Sequence, residues 1–302
     1  MCLLGSALAS QAVDRVIAWG DINYDFKIGT SGRQTVRGIA SGSFHSLAIR
    51  NDRTVLAWGN NQFGQTNIPA RLKRTPVCEV AAGNVHSLAL LWNGTVAGWG
   101  ASGVGDYGQS TVPPGLKKVR GIAAGALHSL ALKRDGTVVA WGGNWTGQCE
   151  VPAELSDVVA IAGGTYHSIA LKKDGTVVAW GSNDQGQCDV PEGLTDAVAI
   201  ASAGFHSVAL KADGTVVSWG TYGLAQMPVP EGLSGVIAIA TGDYHVLALK
   251  RDGSVVTWGF NDAGQCNIPA GLGKVVSISA RGNHSMVVVE ESSARKSNKR
   301  SR

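Results

Sequence analysis

Short apolar runs separated by polar turns repeat along the chain, and the clearest copy occupies residues 158–196. The predicted strands in this copy are A, Val158–Ala162; B, Ser168–Lys172; C, Thr176–Trp180; and D, Gln187–Val190. Strands A to C are apolar at nearly every position, which is typical of strands whose sheet is covered on both faces. Strand D is short and ends at Pro191, because proline has no amide hydrogen to offer a neighbouring strand.

Polar turns, and the lack of a helical period, complete the prediction for each copy. Asp174-Gly175, between strands B and C, predicts a tight hairpin, because glycine readily takes the positive φ that such turns need. Equivalent pairs stand at residues 93–94, 135–136, 213–214 and 252–253. No segment keeps the 3.6-residue apolar period of a helix, so no helix is predicted.

Two sequence marks count the copies. A histidine followed by Ser or Val occurs at His45, His86, His128, His167, His206, His245 and His284. A Trp-Gly pair begins at Trp19, Trp58, Trp99, Trp141, Trp180, Trp219 and Trp258. Successive histidines are 41, 42, 39, 39, 39 and 39 residues apart. A fixed period near 40 is typical of solenoids, propellers and repeat arrays.

The two ends of the chain decide between an open solenoid and a closed ring. Trp19 has no histidine motif before it, and His284 has no Trp-Gly pair after it. Arg15–Trp19 is therefore a strand C that lacks its A and B, and Val275–Val289 is an A–B pair that lacks its C. Joined, they complete a seventh blade and remove both open sheet edges.

The predicted fold class is therefore all-β, a seven-bladed β-propeller closed by pairing of an N-terminal strand with the C-terminal strands. The predicted domains are residues 1–12, an N-terminal segment that looks like the remnant of an export signal; 13–291, the propeller; and 292–302, a basic disordered tail. The odd count of five cysteines without a CxxC motif predicts free thiols, which favours a reducing compartment. The compartment therefore stays open between the cytoplasm and secretion.

Composition limits the classes of partner. Charged residues make up 16% of the chain and apolar residues 44%, which is typical of a globular protein. The net charge is +4, but Arg295–Arg302 holds five of the 26 basic residues, and the remainder has 21 basic against 22 acidic residues. A nearly neutral body argues against nucleic acid, except through the basic tail. No run of 18 apolar residues predicts a membrane span, and a monomer is expected.

The repeated phrase resembles a known family. Residues Ala123–Pro152 read AAGALHSLALKRDGTVVAWGGNWTGQCEVP, and this phrase resembles the regulator of chromosome condensation repeat over residues 13–291. The short period and the Gln-x-x-Val-Pro ending look more like the propeller-type β-lactamase inhibitors of the same superfamily. Both resemblances imply a seven-bladed propeller that works by binding another protein.

No enzyme, metal or cofactor site is predicted. Equivalent positions in a propeller lie on the order of 10 Å apart, whereas a metal needs each ligand nitrogen at about 2 Å. Each histidine is instead predicted to brace its own A–B turn by hydrogen bonding. A His-Ser pair that is adjacent in sequence does not orient an imidazole onto its own hydroxyl as a catalytic triad requires.

Aromatic side chains outside the Trp-Gly pairs collect at one face. Because strands in a blade are antiparallel, the A–B turns and C–D loops share a face, and eleven of these twelve aromatic residues fall there. Only Trp92 stands at a B–C hairpin. Interfaces are rich in Tyr, Trp and Phe. The predicted partner-binding residues are Phe44, Phe63, Tyr107, Trp145, Tyr166, Phe205, Tyr222 and Tyr244.

The first functional hypothesis is a non-catalytic scaffold that binds a protein on this aromatic face. One alternative is a guanine-nucleotide exchange factor for a small GTPase, with Asp106, Asp184, Asp243 and Asp262 as acidic candidates. Another is an inhibitor of a secreted enzyme, since the inhibitor resemblance implies that aromatic residues before the histidines face the target. Val85, Leu127 and Asn283 interrupt that set of aromatic residues.

Overall fold

The described part of the chain contains 21 short strands and two single-turn 3₁₀ helices. The computed structural model describes residues 15–21, 36–221 and 227–290. The strands are β1 Arg15–Gly20, β2 Val36–Ser41, β3 His45–Arg50, β4 Val55–Gly59, β5 Val77–Ala82, β6 His86–Leu91, β7 Val96–Gly100, β8 Val119–Ala124, β9 His128–Lys133, β10 Val138–Gly142, β11 Val158–Gly163, β12 His167–Lys172, β13 Val177–Gly181, β14 Ala197–Ala203, β15 His206–Lys211, β16 Val216–Gly220, β17 Val236–Thr241, β18 His245–Lys250, β19 Val255–Gly259, β20 Val275–Arg281 and β21 His284–Val289. The 3₁₀ helices are Ala70–Lys73 and Gly103–Gly105. No helix in these three ranges is long and apolar enough to cross a membrane.

The strands form seven antiparallel sheets of three strands each, which confirms the seven predicted blades. Blades 1 to 6 are β2–β4, β5–β7, β8–β10, β11–β13, β14–β16 and β17–β19, and blade 7 is β20, β21 and β1. In blade 4, Gly163 pairs with Ser168 and His167 pairs with Gly181. The turn between the first two strands and the loop after the third strand therefore share one end of the blade.

Two names are used below for the two ends of the disc. The upper face carries the A–B turns, such as residues 164–166, and the loops after the third strands, such as residues 182–189. The lower face carries the B–C hairpins, such as residues 173–176, and the connections that lead to the next blade.

Strand β1 closes the ring. It pairs with β21 from Arg15 opposite Val289 to Gly20 opposite His284, so the two ends of the chain share blade 7 as predicted. The first strands of all seven blades line a central cavity of about 230 Å³. Closure therefore gives one disc with two distinct faces.

The predicted strand D is wrong, because residues 187 and 188 lie in a turn and residues 189 and 190 belong to no strand. The Val190 amide donates to the Cys188 carbonyl at 2.9 Å. The Gln187 carbonyl accepts hydrogen bonds from Trp219 Nε1 at 3.0 Å and from the Ser207 hydroxyl at 3.1 Å, both in the next blade. The segment thus bonds to side chains of the neighbouring blade in place of a fourth strand.

Apolar packing between blades explains the nearly continuous apolar strands. Ile169 and Leu171 of blade 4 share one buried cluster with Ala209 and Trp219 of blade 5. Each middle strand has a neighbouring blade on either face, so an alternating apolar and polar pattern would bury polar groups.

Candidate functional site

Close backbone contacts hold the upper loops above the A–B turns. In blade 4 the Ser182 amide donates to the Tyr166 carbonyl at 2.9 Å. Gly181, from the Trp-Gly pair, has φ +103° at this point, and a Cβ on it would lie 2.6 Å from the Tyr166 carbonyl oxygen. The approach therefore needs glycine, and it fixes the height of the loop over the turn.

A buried glutamine braces the loop that follows the third strand in five of the blades. Gln187 is fully buried; its Oε1 accepts from the Gln185 amide at 2.8 Å, and its Nε2 donates to the Ser182 hydroxyl at 3.1 Å. Four other blades show the same bond from the residue two positions before the glutamine: Phe63, Tyr107, Thr146 and Ala263. The glutamine fixes the backbone, and the braced residue changes from blade to blade.

A cavity of about 500 Å³ opens between the upper loops of blades 2 to 5. Its lining residues are Tyr107, Leu127, Trp145, Thr146, Tyr166, Ser182, Asp184, Gln185 and Phe205. The ring centroids of Tyr107 and Trp145 are 4.6 Å apart with their planes at 83°, and those of Tyr166 and Phe205 are 6.3 Å apart. We call this cavity the blade 2–5 pocket.

The rings of Trp145 and Tyr107 are exposed to solvent although their loops are held in place. A Cβ on Gly143 would clash with Trp145 Cζ3, so the ring is folded back against its own loop. It is nevertheless 57% exposed, and Tyr107 is 44% exposed. Rings held in this way lose little entropy when a partner covers them.

The structure brings four of the eight predicted binding residues into this pocket, namely Tyr107, Trp145, Tyr166 and Phe205. Phe63 does not line the pocket, and its Cδ1 lies 3.4 Å from the place of a Cβ on Gly105 in the loop that carries Tyr107. Tyr244 contacts Phe260 in blade 6, with their ring centroids 6.2 Å apart. Phe44, 40% exposed, stands in the A–B turn of blade 1, and Tyr222 lies outside the described residues.

The sequence prediction missed the non-aromatic half of the lining. Leu127, Thr146, Ser182 and Gln185 were not selected, because only aromatic residues were counted. Their signal was positional, since Leu127 directly precedes a motif histidine, and Thr146 and Gln185 stand two residues before the bracing glutamine. Asp184 was selected only as an acid for nucleotide exchange.

Six of the seven histidines link neighbouring blades, which corrects the prediction that each side chain bonds within its own turn. His167 Nε2 lies 2.9 Å from the Ser207 hydroxyl of the next blade. Since that hydroxyl donates to the Gln187 carbonyl, Nε2 is the donor to serine. Burial lowers the pKa of His167 to about 3, so the ring is neutral at pH 7.

In the part of the chain that the structure describes, the thiols of Cys149 and Cys188 are hydrogen-bonded and no metal site is formed. Cys149 and Cys188 donate to the carbonyl oxygens of Gly143 and Ser182, and burial raises the pKa of each thiol to about 11. Both thiols therefore stay protonated at neutral pH. In those described ranges, no group of three His, Cys, Asp or Glu side chains is placed to hold a metal.

Comparison with known proteins confirms the repeat predicted from the sequence. The regulator of chromosome condensation (RCC1) repeat model matches residues 36–65, 119–148, 158–187 and 236–265. A comparison with curated proteins found no match.

Solved structures with the same fold cover nearly the whole chain. Prp20p from Saccharomyces cerevisiae, described with its binding properties to Gsp1p and histones, has TM-score 0.78 and 22% identity, and the match covers 94% of this chain and 93% of that one. The yeast RCC1 (Prp20) structure bound to Kap60 has TM-score 0.78 and 21% identity, over 94% and 91% of the two chains. Human WBSCR16 has TM-score 0.72 and 20% identity, over 92% and 99%. At these identities the likeness establishes the fold alone.

Proposed function

From a seven-bladed propeller that carries regulator of chromosome condensation repeats, we infer a non-catalytic scaffold that binds a protein on its upper face, centred on the blade 2–5 pocket. Propellers of this kind are generally binding or exchange-factor proteins. The observation that carries the proposal is the convergence of Tyr107, Trp145, Tyr166 and Phe205 on one open pocket.

The pocket has the composition and the rigidity of an interface centre. Large rings that are half-buried or exposed, set beside polar groups, match the aromatic anchors and polar surroundings of known protein interfaces. The loops that carry them are fixed by buried glutamines, so binding costs little loop ordering. Residues that recur from blade to blade build the frame, and residues that vary form the pocket.

A matched pair of exposed tryptophans tests this proposal. Trp145 on the upper face and Trp92 on the lower face are each 57% exposed. Purified wild-type protein, the Tyr107→Ser/Trp145→Ser double variant and Trp92→Ser would each be immobilised, and the proteins they retain quantified by mass spectrometry. The protein retained most specifically would then be purified and titrated against all three forms.

We expect the double variant to lose about 30-fold or more in affinity, as is usual when anchor residues are removed. Trp92→Ser should bind within about twofold of wild type, since its ring lies at the far face, with Arg53 Cζ 4.8 Å from the ring centroid. Melting curves would verify that each variant is folded. Equal loss in both variants, or loss only in Trp92→Ser, contradicts the proposed face.

Guanine-nucleotide exchange is the second candidate function. It is supported by the shared fold with Prp20p, whose reported binding to Gsp1p is a property of that protein, and by Asp106 and Asp184 in upper loops. Asp243 fits less well, because its Oδ1 lies 4.0 Å from Nε of the buried Arg281. Release of a fluorescent guanine nucleotide from a panel of small GTPases would test this function. Exchange predicts faster release with wild type than with Asp184→Asn, and unchanged release across the panel contradicts it.

A further inference from the structure

Charge is divided between the two faces of the disc. The acidic residues of the described upper loops are Asp21, Asp106, Glu150, Asp184, Asp189, Asp243 and Asp262. Every described lysine and arginine except Arg281 lies at the lower face or in the connections leading to it. Arg281 is only 4% exposed, and its Nη1 donates to the carbonyls of Ala124 and Gly163 inside the central cavity. The described upper face therefore presents carboxylates without exposed basic residues.

Ion pairing follows the same division. Five exposed ion pairs lie at the lower face, namely Lys133–Asp135, Lys172–Asp174, Lys211–Asp196, Lys211–Asp213 and Lys274–Glu290. Asp184, in contrast, has no ion pair with any residue in the described ranges. Its Oδ2 accepts one long hydrogen bond from the Ser182 hydroxyl, at 3.4 Å. Its charge is therefore available to a ligand in the pocket that it lines.

The pocket combines this carboxylate with aromatic rings. The face of a tryptophan or tyrosine ring attracts a cation, most strongly where water is partly excluded. The methylene stems of Lys and Arg pack along apolar surface while the charged group stays at a polar site. Leu127 and Phe205 offer apolar wall, Trp145 and Tyr166 offer ring surface, and Asp184 offers a counter-charge.

We propose that the blade 2–5 pocket receives the cationic head of an arginine or lysine side chain from a basic segment of the partner protein. The inference rests on the proposed function, because it names the chemistry that the same pocket recognises. A purely apolar anchor would leave the Asp184 carboxylate desolvated and unpaired, at a cost. A phosphate or another anion would be repelled by the carboxylates of the upper loops.

The test uses a fluorescein-labelled peptide, Gly-Arg-Gly-Arg-Gly-Arg-Gly, and the same peptide with citrulline, which has the shape of arginine without its charge. Anisotropy titrations would compare wild type with Asp184→Asn and with Asp213→Asn. Both variants remove one negative charge, but Asp213 is at a lower-face hairpin, where asparagine is tolerated because Asn93 makes the same turn bonds in blade 2. The matched pair therefore separates a local contact from the long-range effect of net charge.

We expect the arginine peptide to bind wild type at least about tenfold more tightly than the citrulline peptide. Asp184→Asn should weaken arginine-peptide binding about fivefold or more, and Asp213→Asn by less than about twofold. Equal binding of the two peptides overturns the inference. Equal weakening by the two variants also overturns it, since the attraction would then arise from overall charge.

The purified partner distinguishes failure of this inference from failure of the proposed function. If the partner loses affinity for Tyr107→Ser/Trp145→Ser but binds Asp184→Asn as well as wild type, the binding face is supported and the cation site is rejected. If the double variant keeps full affinity, both proposals are rejected. Loss of affinity in both variants, with Asp213→Asn unchanged, supports both.

Discussion

The two faces of the disc each repeat a polar device in blade after blade, but one device is buried and the other is exposed. At the lower face, the Asp174 carboxylate accepts hydrogen bonds from the Thr176 amide at 3.0 Å and the Thr176 hydroxyl at 2.6 Å. The equivalent turn residues are Asp52, Asn93, Asp135, Asp213 and Asp252. Near the upper face, the repeated device is the fully buried chain from His167 to Ser207 to the Gln187 carbonyl.

This difference explains why sequence variation collects at the upper face. A buried donor that loses its partner costs the full desolvation penalty, whereas an exposed one turns to water. The buried histidines, serines and glutamines hold the upper backbone from beneath. The side chains above them are therefore not needed to hold that backbone, and they can vary between blades. At the lower face the turn itself depends on an exposed side chain, and that side chain is repeated.

The largest predicted effect is a loss of stability in acid, which should come from the buried histidines rather than from the exposed turn aspartates. Burial, with smaller contributions from neighbouring charges, lowers the pKa of four histidines to about 3, namely His45, His128, His167 and His245. Burial alone lowers the pKa of His206 to about 4. The unfolded chain, with histidine near 6.5, therefore binds protons first as the pH falls below about 6.5. Each buried histidine should reduce the free energy of unfolding by about 1.4 kcal/mol per pH unit until its folded pKa is reached.

Chemical denaturation at a series of pH values would measure this slope. The hydrogen bond from the Thr176 hydroxyl lowers the pKa of Asp174 to about 2, so its contribution is complete above about pH 4 and is lost only below it. Loss between pH 6.5 and 4 therefore reports the buried device. Constant stability over that window would contradict the comparison.

The regular parts of the fold were predictable from the sequence because they depend on local, repeated signals. The Asp-Gly hairpins and the split seventh blade need no knowledge of distant contacts. Strand D was not predictable, since Trp219 and Ser207, on the next blade, bond to the Gln187 carbonyl.

The pocket was predictable only in part. Position along the repeat placed the aromatic residues on one face, but which rings meet depends on the shape of each loop. Tyr107 reaches Trp145 from the longest upper loop, residues 101–108, where Ala101 takes φ +56° and residues 103–105 form a 3₁₀ turn. No periodic signal encodes that path.

One blade junction lacks the buried link and should respond oppositely to substitution. Six histidines contact a serine of the next blade, but His206 faces a position held by Val246, and its Nε2 has no partner among the described residues. Ser168→Val should cost about 1–3 kcal/mol by leaving His128 unpaired. Val246→Thr should instead stay within about 0.5 kcal/mol of wild type or stabilise the protein, because its hydroxyl meets an unpaired imidazole.

Val208→Thr is the control for that pair of substitutions, since Val208 and Val246 are both fully buried in one cluster. With no serine-equivalent role, the new hydroxyl at position 208 should cost about 1–3 kcal/mol. Free energies of unfolding from denaturant titrations would compare the three variants. A cost for Val246→Thr as large as that for Val208→Thr would show that a hydroxyl placed beside His206 does not stabilise the protein.

The smallest effect should come from the exposed device at the lower face. Asp174→Ala removes both turn bonds, yet the Thr176 amide and hydroxyl can turn to water, so the melting temperature should fall only slightly. Asp174→Asn should restore it, because Asn93 accepts the equivalent bonds from Thr95 in blade 2. Differential scanning calorimetry of both variants beside Ser168→Val would rank the two faces directly. If Asp174→Ala lowered the melting temperature as much as Ser168→Val, the exposure of a repeated hydrogen bond would not determine how much it stabilises this protein.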